Sequence, residues 1–401
     1  MKRLSLLFPV IAPFLLAPLF AQEAPDEPPA AESAPISQIA ITVEYYQLDH
    51  RAANQHIREH RSTGQPDASS LHDTLSNLVD AKNARRIASG YLVTRSGQRA
   101  KIESIVQHIY PTEFDPPEVV PDLAGPVHAD VRLMTNLTPT AFETRNTGLT
   151  IEVDPVIGND GAFIDLNIAT ELVEHIGDRI LGQNEARMTQ PVFNTANDMT
   201  AITLKSGSWA FVGTHGPAPT MSELNSTGTD TGNRDERIIV LVRANLVEFN
   251  LETSEPSDPP TGPAVISTLA EYIEVGEADA ARLLSSLSES GSSSALREEL
   301  ESRIESGSAT LIETASVTTR SGQRAKSQSS SEWIYPTALA PPDVPKELRG
   351  PIEKGNELIT PLTYTSFETR NIGTSLEIDP VANANRLIVD LNVAPEIVSH
   401  V

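Results

Sequence analysis

The side chains best suited to chemistry in this chain are few and scattered. His50, His56 and His60 lie close together, and His56 and His60 are four residues apart. On a helix that spacing sets two imidazoles on one face, as a Zn²⁺ site uses them, but the third ligand is unassigned. A polar helix face explains the same spacing. Asp154 and Asp165 stand on neighbouring expected strands and recur as Asp379 and Asp390. A glycosidase needs two acids roughly 5 to 9.5 Å apart across a cleft; these alternate with apolar residues, the pattern of side chains that face solvent. Arg145 and Arg370 sit in the same pentapeptide, Phe-Glu-Thr-Arg-Asn, where a half-buried Glu–Arg pair would steady the start of a strand. The chain has no Gly-x-Ser-x-Gly elbow, no phosphate loop and no thiol. The sequence thus assigns no catalytic, cofactor-binding or metal residue, implies no cofactor, and points away from an enzyme.

What must be positioned is instead a long segment that occurs twice. Thr94-Arg95-Ser96-Gly97-Gln98-Arg99-Ala100-Lys101 returns as Thr319-Arg320-Ser321-Gly322-Gln323-Arg324-Ala325-Lys326, an offset of 225. Tyr110-Pro111-Thr112 returns as Tyr335-Pro336-Thr337, and Asp165-Leu166-Asn167 as Asp390-Leu391-Asn392, at that same offset. With no net insertion between the landmarks, the segment is a folded unit whose loop lengths matter. Duplication without a catalytic cluster reads as architecture.

Compartment and charge narrow the function. Lys2 and Arg3 precede an apolar run from Leu4 to Phe20, and Ala21 leads into a polar, Pro-rich stretch. That is the pattern of a cleaved secretory peptide, residues 1–21. Pro9, Pro13 and Pro18 and the short run argue against a membrane-spanning helix, which needs about 20 apolar residues. The formal charge is −24, and loss of Lys2 and Arg3 makes it more negative still. Nucleic acid and anionic lipid are therefore poor partners. With no Cys, an exported chain cannot use disulfides and must rely on core packing.

Residues 22–37 read as a Pro/Ala/Glu linker and 253–262 as a second one. They leave a first unit at 38–252 and a shorter second at 263–401. Each opens on a strand, Ile39 to Tyr46 and a counterpart ending at Ala270-Glu271-Tyr272-Ile273, followed by two helical stretches. Asp67 can cap a helix over 70–81 with Leu71, Leu75, Leu78 and Val79 on one face; its match spans about 294–305, striped by Leu296, Leu300 and Ile304. The remainder is β. Strand 87–94 contains Gly90, a sign of a bulge or a close backbone approach. Ala100, Ile102 and Ser104 share one face of the next strand, and Pro111 to Pro126 is expected to cross irregularly, with Tyr110 to Pro117 suited to protein contact. Leu149, Ile151 and Val153, the Asn159-Asp160-Gly161 turn, and Ile164, Leu166 and Ile168 form an antiparallel hairpin signal. The first unit continues with an expected hairpin of 199–204 and 208–212 about Lys205-Ser206-Gly207, a polar loop from Gly213 to Asn233, and a buried strand at 238–242 extended by Ala244 to Val247. The fold class is α+β: two repeated units, each a small α/β subdomain before a mainly antiparallel β domain.

The β portions resemble bacterial secretins, the outer-membrane pores of secretion and pilus systems. Thr94, Gly97, Gln98 and Ala100 match a T-x-x-G-Q-x-A strand. Gly148, Ile151, Val153 and Pro155 match a G-x-x-L-x-V-x-P strand, and Asp160-Gly161 precedes Ile164, Leu166, Ile168 and Glu171 as in a V-x-L-x-I-x-x-E strand. The resemblance covers most of 85–248 and again 310–401. It implies a secretin-like β domain behind a small α/β domain, self-association or an envelope protein partner, and outer-membrane association. The secretin lip segment is replaced by Gly213-Thr214-His215-Gly216-Pro217, which favours a non-enzymatic structural or accessory protein of the periplasm or outer membrane over a conducting channel. A periplasmic solute or polysaccharide binding module, with a groove shaped by the 213–233 loop, is the alternative.

Overall fold

The structure, a computed structural model, describes residues 37–399 except 120–121, 129–133, 160, 183–186, 217–235, 249–263, 291–292, 345, 350, 352–358 and 360–361. The expected signal peptide, the first linker up to residue 36, the second linker and most of the 213–233 loop lie outside the described residues, and Ser37, the last residue of the expected first linker, opens a strand. In chain order the elements are β1 (Ser37–Asp49), α1 (His50–Ser62), α2 (Ser69–Asp80), β2 (Ala84–Arg95), β3 (Ala100–Asp115), β4 (Asp122–Ala124), β5 (Thr138–Ile157), β6 (Phe163–Leu181), β7 (Met188–Lys205), β8 (Trp209–His215) and β9 (Glu236–Glu248). After them come β10 (Val265–Val275), α3 (Glu277–Ser290), α4 (Ser293–Glu305), β11 (Ala309–Arg320), β12 (Ala325–Ala340), β13 (Glu347–Arg349), β14 (Thr363–Ala382) and β15 (Val389–Val398). The architecture is mostly antiparallel β with a few helices.

β1 organises the first segment. Its alternation sends Ile39, Ile41, Val43 and Tyr45 to one face and Tyr46 and Leu48 to the other, and all six are at most 3% exposed. A strand apolar on both faces needs cover on both. It also has neighbours on both edges, because β2 and β9 pair with it antiparallel and β8 extends the sheet in the order β2-β1-β9-β8. The Tyr46 face lies under α1 and α2, where Ala53, Leu71, Leu75, Trp209, Ile239 and Leu241 complete a cluster. The Ile39 face packs on a long sheet of order β15-β14-β12-β5-β6-β7, with β3 also against β5. Between the two sheets lie Leu149, Ile151 and Val153 of β5, Ile164, Leu166 and Ile168 of β6, and Val240 and Val242 of β9. Each such side chain contributes roughly 1.5 to 3 kcal/mol by burial.

The helices form where expected. Asp49 caps α1 by accepting from the N–H groups of Arg51 and Ala52 at 2.9 and 3.0 Å. Asp67 accepts from the Ser69 N–H at 2.9 Å, acting from the position before the N-cap, Ala68. The 149–168 hairpin is present, with Ile151 opposite Thr170 and Val153 opposite Ile168.

Two expectations are corrected, and one left open is decided. β3 continues through Pro111 to Asp115, so the irregular crossing starts later; the register shifts between Pro111 and Glu113, and a proline is tolerated at such a break in the ladder. Gly90 marks a close approach and not a bulge, since a Cβ there would lie 2.3 Å from Ile151 Cδ1 while the register of β2 shifts at Ile87. The strands around Lys205-Ser206-Gly207 are not a hairpin. β7 belongs to the long sheet and β8 to the upper one, because the turn is bound to β9. The Gly207 N–H donates to the Ala244 carbonyl, and Ser206 Oγ accepts from the Leu246 N–H, both at 2.9 Å.

Strand pairings in 264–399 follow those in 37–173 position by position. Ala270 faces Ala315 as Val43 faces Gly90, Lys326 faces Glu377 as Lys101 faces Glu152, and Ile378 faces Val393 as Val153 faces Ile168. A register shift follows Tyr272 as one follows Tyr45. The upper sheet here has two strands, β10 and β11.

Gly148 and Gly373 occupy matching positions where only glycine fits. Their φ values are +113° and +137°, and a Cβ on either would stand 2.1 Å from a carbonyl oxygen, that of Ser104 or Ser329. Replacing either by Ala is expected to cost at least roughly 1 to 3 kcal/mol. Urea unfolding checks this: an unchanged midpoint for Gly148→Ala would mean that β3 does not approach β5 this closely.

Candidate functional site

The residues with chemical potential do not converge. His56 Nδ1 lies 3.3 Å from Glu59 Oε2 on an exposed turn of α1, whereas His60 leans toward Phe211, ring centroids 6.5 Å apart. Among the described residues no group of three metal-capable side chains comes together. Asp154 sits opposite Asn167, and Asp165 opposite Val156 with its carboxylate accepting from Thr203 Oγ1 at 2.5 Å. Arg145 does not pair with the Glu of its own pentapeptide. It reaches across to Glu171 Oε1 at 3.0 Å and Thr195 Oγ1 at 3.2 Å, tying β5 to β6 and β7 on a half-exposed face.

The densest polar cluster was not singled out from sequence. Glu44, 3% exposed, accepts from the Tyr46 hydroxyl and meets His72 Nε2 at 3.1 Å and Arg86 Nε at 3.4 Å. Burial alone would raise the carboxyl pKa, but the His72 hydrogen bond, the Arg86 guanidinium and the Tyr46 hydroxyl outweigh it and hold it below its ordinary value. The Tyr46 hydroxyl is pushed well up, first by burial and then by the Glu44 charge. Nearby, Tyr45 donates to Thr170 Oγ1 at 2.6 Å, and burial pushes its hydroxyl up to about 12. His72 also stacks on Trp209, centroids 3.9 Å apart. In the second segment Glu271 holds Arg297 by two bonds of 2.6 and 3.1 Å; position 297 is 72 displaced by 225. The same helix-to-strand clamp is therefore closed by a histidine in one segment and an arginine in the other. The cluster is a clamp and offers no room for a substrate.

The larger feature is a seam where the two segments meet. β4 and β13 form a two-stranded parallel sheet with Asp122 opposite Glu347, Leu123 opposite Leu348 and Ala124 opposite Arg349. Every one of those pairs joins residues 225 apart. Nearby, Ala141 of β5 bridges Ala338 of β12, and Arg95 at the end of β2 forms an ion pair with Asp390 of β15. Asp390 is about half exposed, as expected of a solvent-facing side chain, and its ion pair reaches across the seam. Ala281, Leu284 and Ser285 of α3 line a small cavity with Thr42, Glu44, Gly90 and Trp209 of the first segment. These contacts join unlike partners: Ala141 corresponds to Ser366, Ala338 to Glu113, Arg95 to Arg320 and Asp390 to Asp165. A two-fold axis would bring each contact back reciprocally. The seam is head-to-tail.

No family model matches the sequence, and no curated protein matches it. Three solved structures with detectable likeness are secretins. The InvG secretin-domain β-barrel of the Salmonella SPI-1 injectisome is 10% identical over 56% of this chain and 65% of its own, with a TM-score of 0.25. GspD in the pilotin–secretin AspS–GspD complex of enterotoxigenic E. coli is 13% identical over 54% and 50%, TM-score 0.24. The Vibrio cholerae type IV competence pilus secretin PilQ is 11% identical over 53% and 61%, TM-score 0.24. This chain spans between half and two thirds of their lengths, and the scores are too low for any residue role to be carried across.

Removing the Glu44 charge tests the clamp. Its carboxyl pKa is lower folded than unfolded, so its contribution is complete above the ordinary value of 4.5 and is lost as pH falls through the folded value. Glu44→Gln is expected to cost about 3 kcal/mol at pH 7, and the gap from the parent chain to narrow below pH 4. Denaturant unfolding at pH 7 and pH 3 reads this out. A gap independent of pH would assign the loss to packing and not to the carboxylate.

Proposed function

We propose that this chain is a non-enzymatic, secretin-like protein of the bacterial envelope, exported by its N-terminal segment to the periplasm or outer membrane. It is built from two repeats of one unit, 38–252 and 263–401, that stand as neighbours in a head-to-tail assembly of this same chain. The observation that carries this reading is the parallel pairing of β4 with β13, residue for equivalent residue. Equivalent strands related by a head-to-tail step run parallel, and a head-to-tail contact leaves one unsatisfied half at each end. The order of the T-x-x-G-Q-x-A, G-x-x-L-x-V-x-P and D-G elements, present twice, supports the secretin likeness.

Two exposed stretches support this reading. Ser366, the counterpart of Ala141, lies in an exposed stretch of β14 flanked by Tyr364 and Phe367, each 55% exposed. Glu113, the counterpart of Ala338, lies at the end of β3, whose other edge carries no strand among the described residues. Exposed aromatics beside a strand edge suit an interface. One chain's β3 end fits against the next chain's β14 as β12 fits against β5.

Light scattering of the mature chain, with and without lipid vesicles, tests this. The expected result is a mass several times that of one chain, reduced by Phe367→Asp. A monomer at micromolar concentration that ignores vesicles would remove the assembly reading.

A further inference from the structure

Four aromatic rings meet where β3, β6 and β7 come together. His175 of β6 stands directly opposite Phe193 of β7, their ring centroids 5.6 Å apart. From β3, His108 lies 4.9 Å from His175 and 5.8 Å from Phe193, and Tyr110 lies 5.9 Å from Phe193. β5 separates β3 from β6 in the sheet, so the two imidazoles reach each other over an intervening strand. The Gln190 side chain donates to the Pro111 carbonyl at 2.8 Å and ties β7 to β3 in the same neighbourhood.

Hydrogen bonding fixes the tautomer of both rings. His175 Nε2 lies 3.0 Å from Asp178 Oδ1. An ionised carboxylate only accepts, so this Nε2 carries the proton. His108 Nε2 lies 3.1 Å from Thr147 Oγ1. The Thr147 hydroxyl gives its one proton to the Val106 carbonyl at 3.2 Å, so it accepts from His108, and Nε2 is again the N–H. In the neutral rings each Nδ1 is then an acceptor with a free lone pair. Among the described residues the rings make no hydrogen bonds beyond those at Nε2. Metal-bound histidines are held in this way, one ring nitrogen donating to a fixed acceptor and the other turned to the ion.

We propose that His108 and His175 form a two-imidazole site for a divalent transition-metal ion, bound through the two Nδ1 atoms. The spacing suits one ion. A metal–nitrogen bond of about 2.0–2.1 Å sets an imidazole centroid roughly 3.2 Å from the metal. Centroids 4.9 Å apart then subtend an angle of roughly 100°, between the octahedral and tetrahedral values. Imidazole nitrogens suit Zn²⁺, Cu²⁺ and Ni²⁺, whereas Mg²⁺ and Ca²⁺ take oxygen ligands, and Cu²⁺ binds most strongly of the three. With two protein ligands, water fills the remaining positions, and the His175 side chain, 29% exposed, opens the site to solvent. Arg145, opposite His108 on β5, has its charge met by Glu171 at 3.0 Å, and the Asp178 carboxylate stands behind His175. Phe193 packs against both rings and limits their rotation. Bound there, the ion clips β3 to β6. Trp333 stands where His108 would recur, so the second segment does not repeat the pair. The site is built from the first segment alone and is independent of the proposed assembly.

The probe is the metal ion alone. Cu²⁺, Ni²⁺ and Zn²⁺ are titrated by calorimetry onto the full mature chain in chelator-stripped buffer, and electron paramagnetic resonance of the Cu²⁺ form counts the bound nitrogens. The expected result is one ion per chain, tightest for Cu²⁺, with two nitrogen ligands. Zn²⁺ is expected to shift the imidazole nitrogen resonances of His108 and His175 in the unmutated chain, a reading that needs no variant. His108→Gln and His175→Gln are each expected to weaken Cu²⁺ binding at least about tenfold, and Asp178→Ala about tenfold through loss of the acceptor that orients His175. His56→Ala, on α1, leaves the affinity unchanged. Urea unfolding shows which variants fold, and added Cu²⁺ raises the midpoint where the pair is intact. Three results would overturn the proposal. One is no saturable binding of any of the three ions below about 100 μM. Another is Cu²⁺ affinity that survives both glutamine substitutions. The last is affinity that falls with His56→Ala and not with His108→Gln, which would put the ion on α1.

Discussion

Everything in the first segment depends on β1 being covered four ways. A strand with Tyr45, Tyr46, Ile39 and Ile41 all buried has no solvent face, so it demands a ladder on each edge and an apolar layer on each side. β2 and β9 supply the ladders, α1 and α2 one layer, and the long sheet the other. Remove β9 and two layers lose cover together, because its residues alternate between them. The polar clamp around Glu44 follows from the same constraint. A carboxylate on a strand this enclosed is tolerable only with polar partners, here the Tyr46 hydroxyl of β1 itself, His72 of α2 and the Arg86 guanidinium of β2.

Much of this was legible in the residues. Leu149, Ile151 and Val153, alternating with Thr150, Glu152 and Asp154, announce a strand with one buried face, and the structure buries that face. The run at 238–242 announced a strand buried on both. The turn at Lys205-Ser206-Gly207 was misread, since a turn signal is local and does not say whether the next strand returns to the same sheet. That choice is made by β9, some 40 residues further on, through Ala244 and Leu246. The partner of Arg145 was also beyond local pattern. Its nearest acid along the chain is Glu143, but alternation along β5 leaves the pairing to be decided across strands, by Glu171.

The seam was the least legible part. Arg95 and Asp390 are separated by 295 positions, and nothing in composition or period links them. The repeat identified which positions correspond without saying whether corresponding positions touch. Only the pairing of β4 with β13 does that, and it does so through two three-residue strands too short to carry any periodic signal.

Covalent duplication has an arithmetic consequence for such a seam. In an array made of separate identical units, the number of positions is set by the angle between neighbours alone. In the proposed array two positions are joined in one polypeptide, so the seam within the chain, Ala141 with Ala338, would alternate with one between chains, where Ser366 would meet Glu113. Each chain would fill at least the two positions described here, so the rotational symmetry of the array would be lower than its outline suggests. Seams would alternate around it, one kind covalently bridged and incapable of drifting apart, the other reversible and the place where such an array opens.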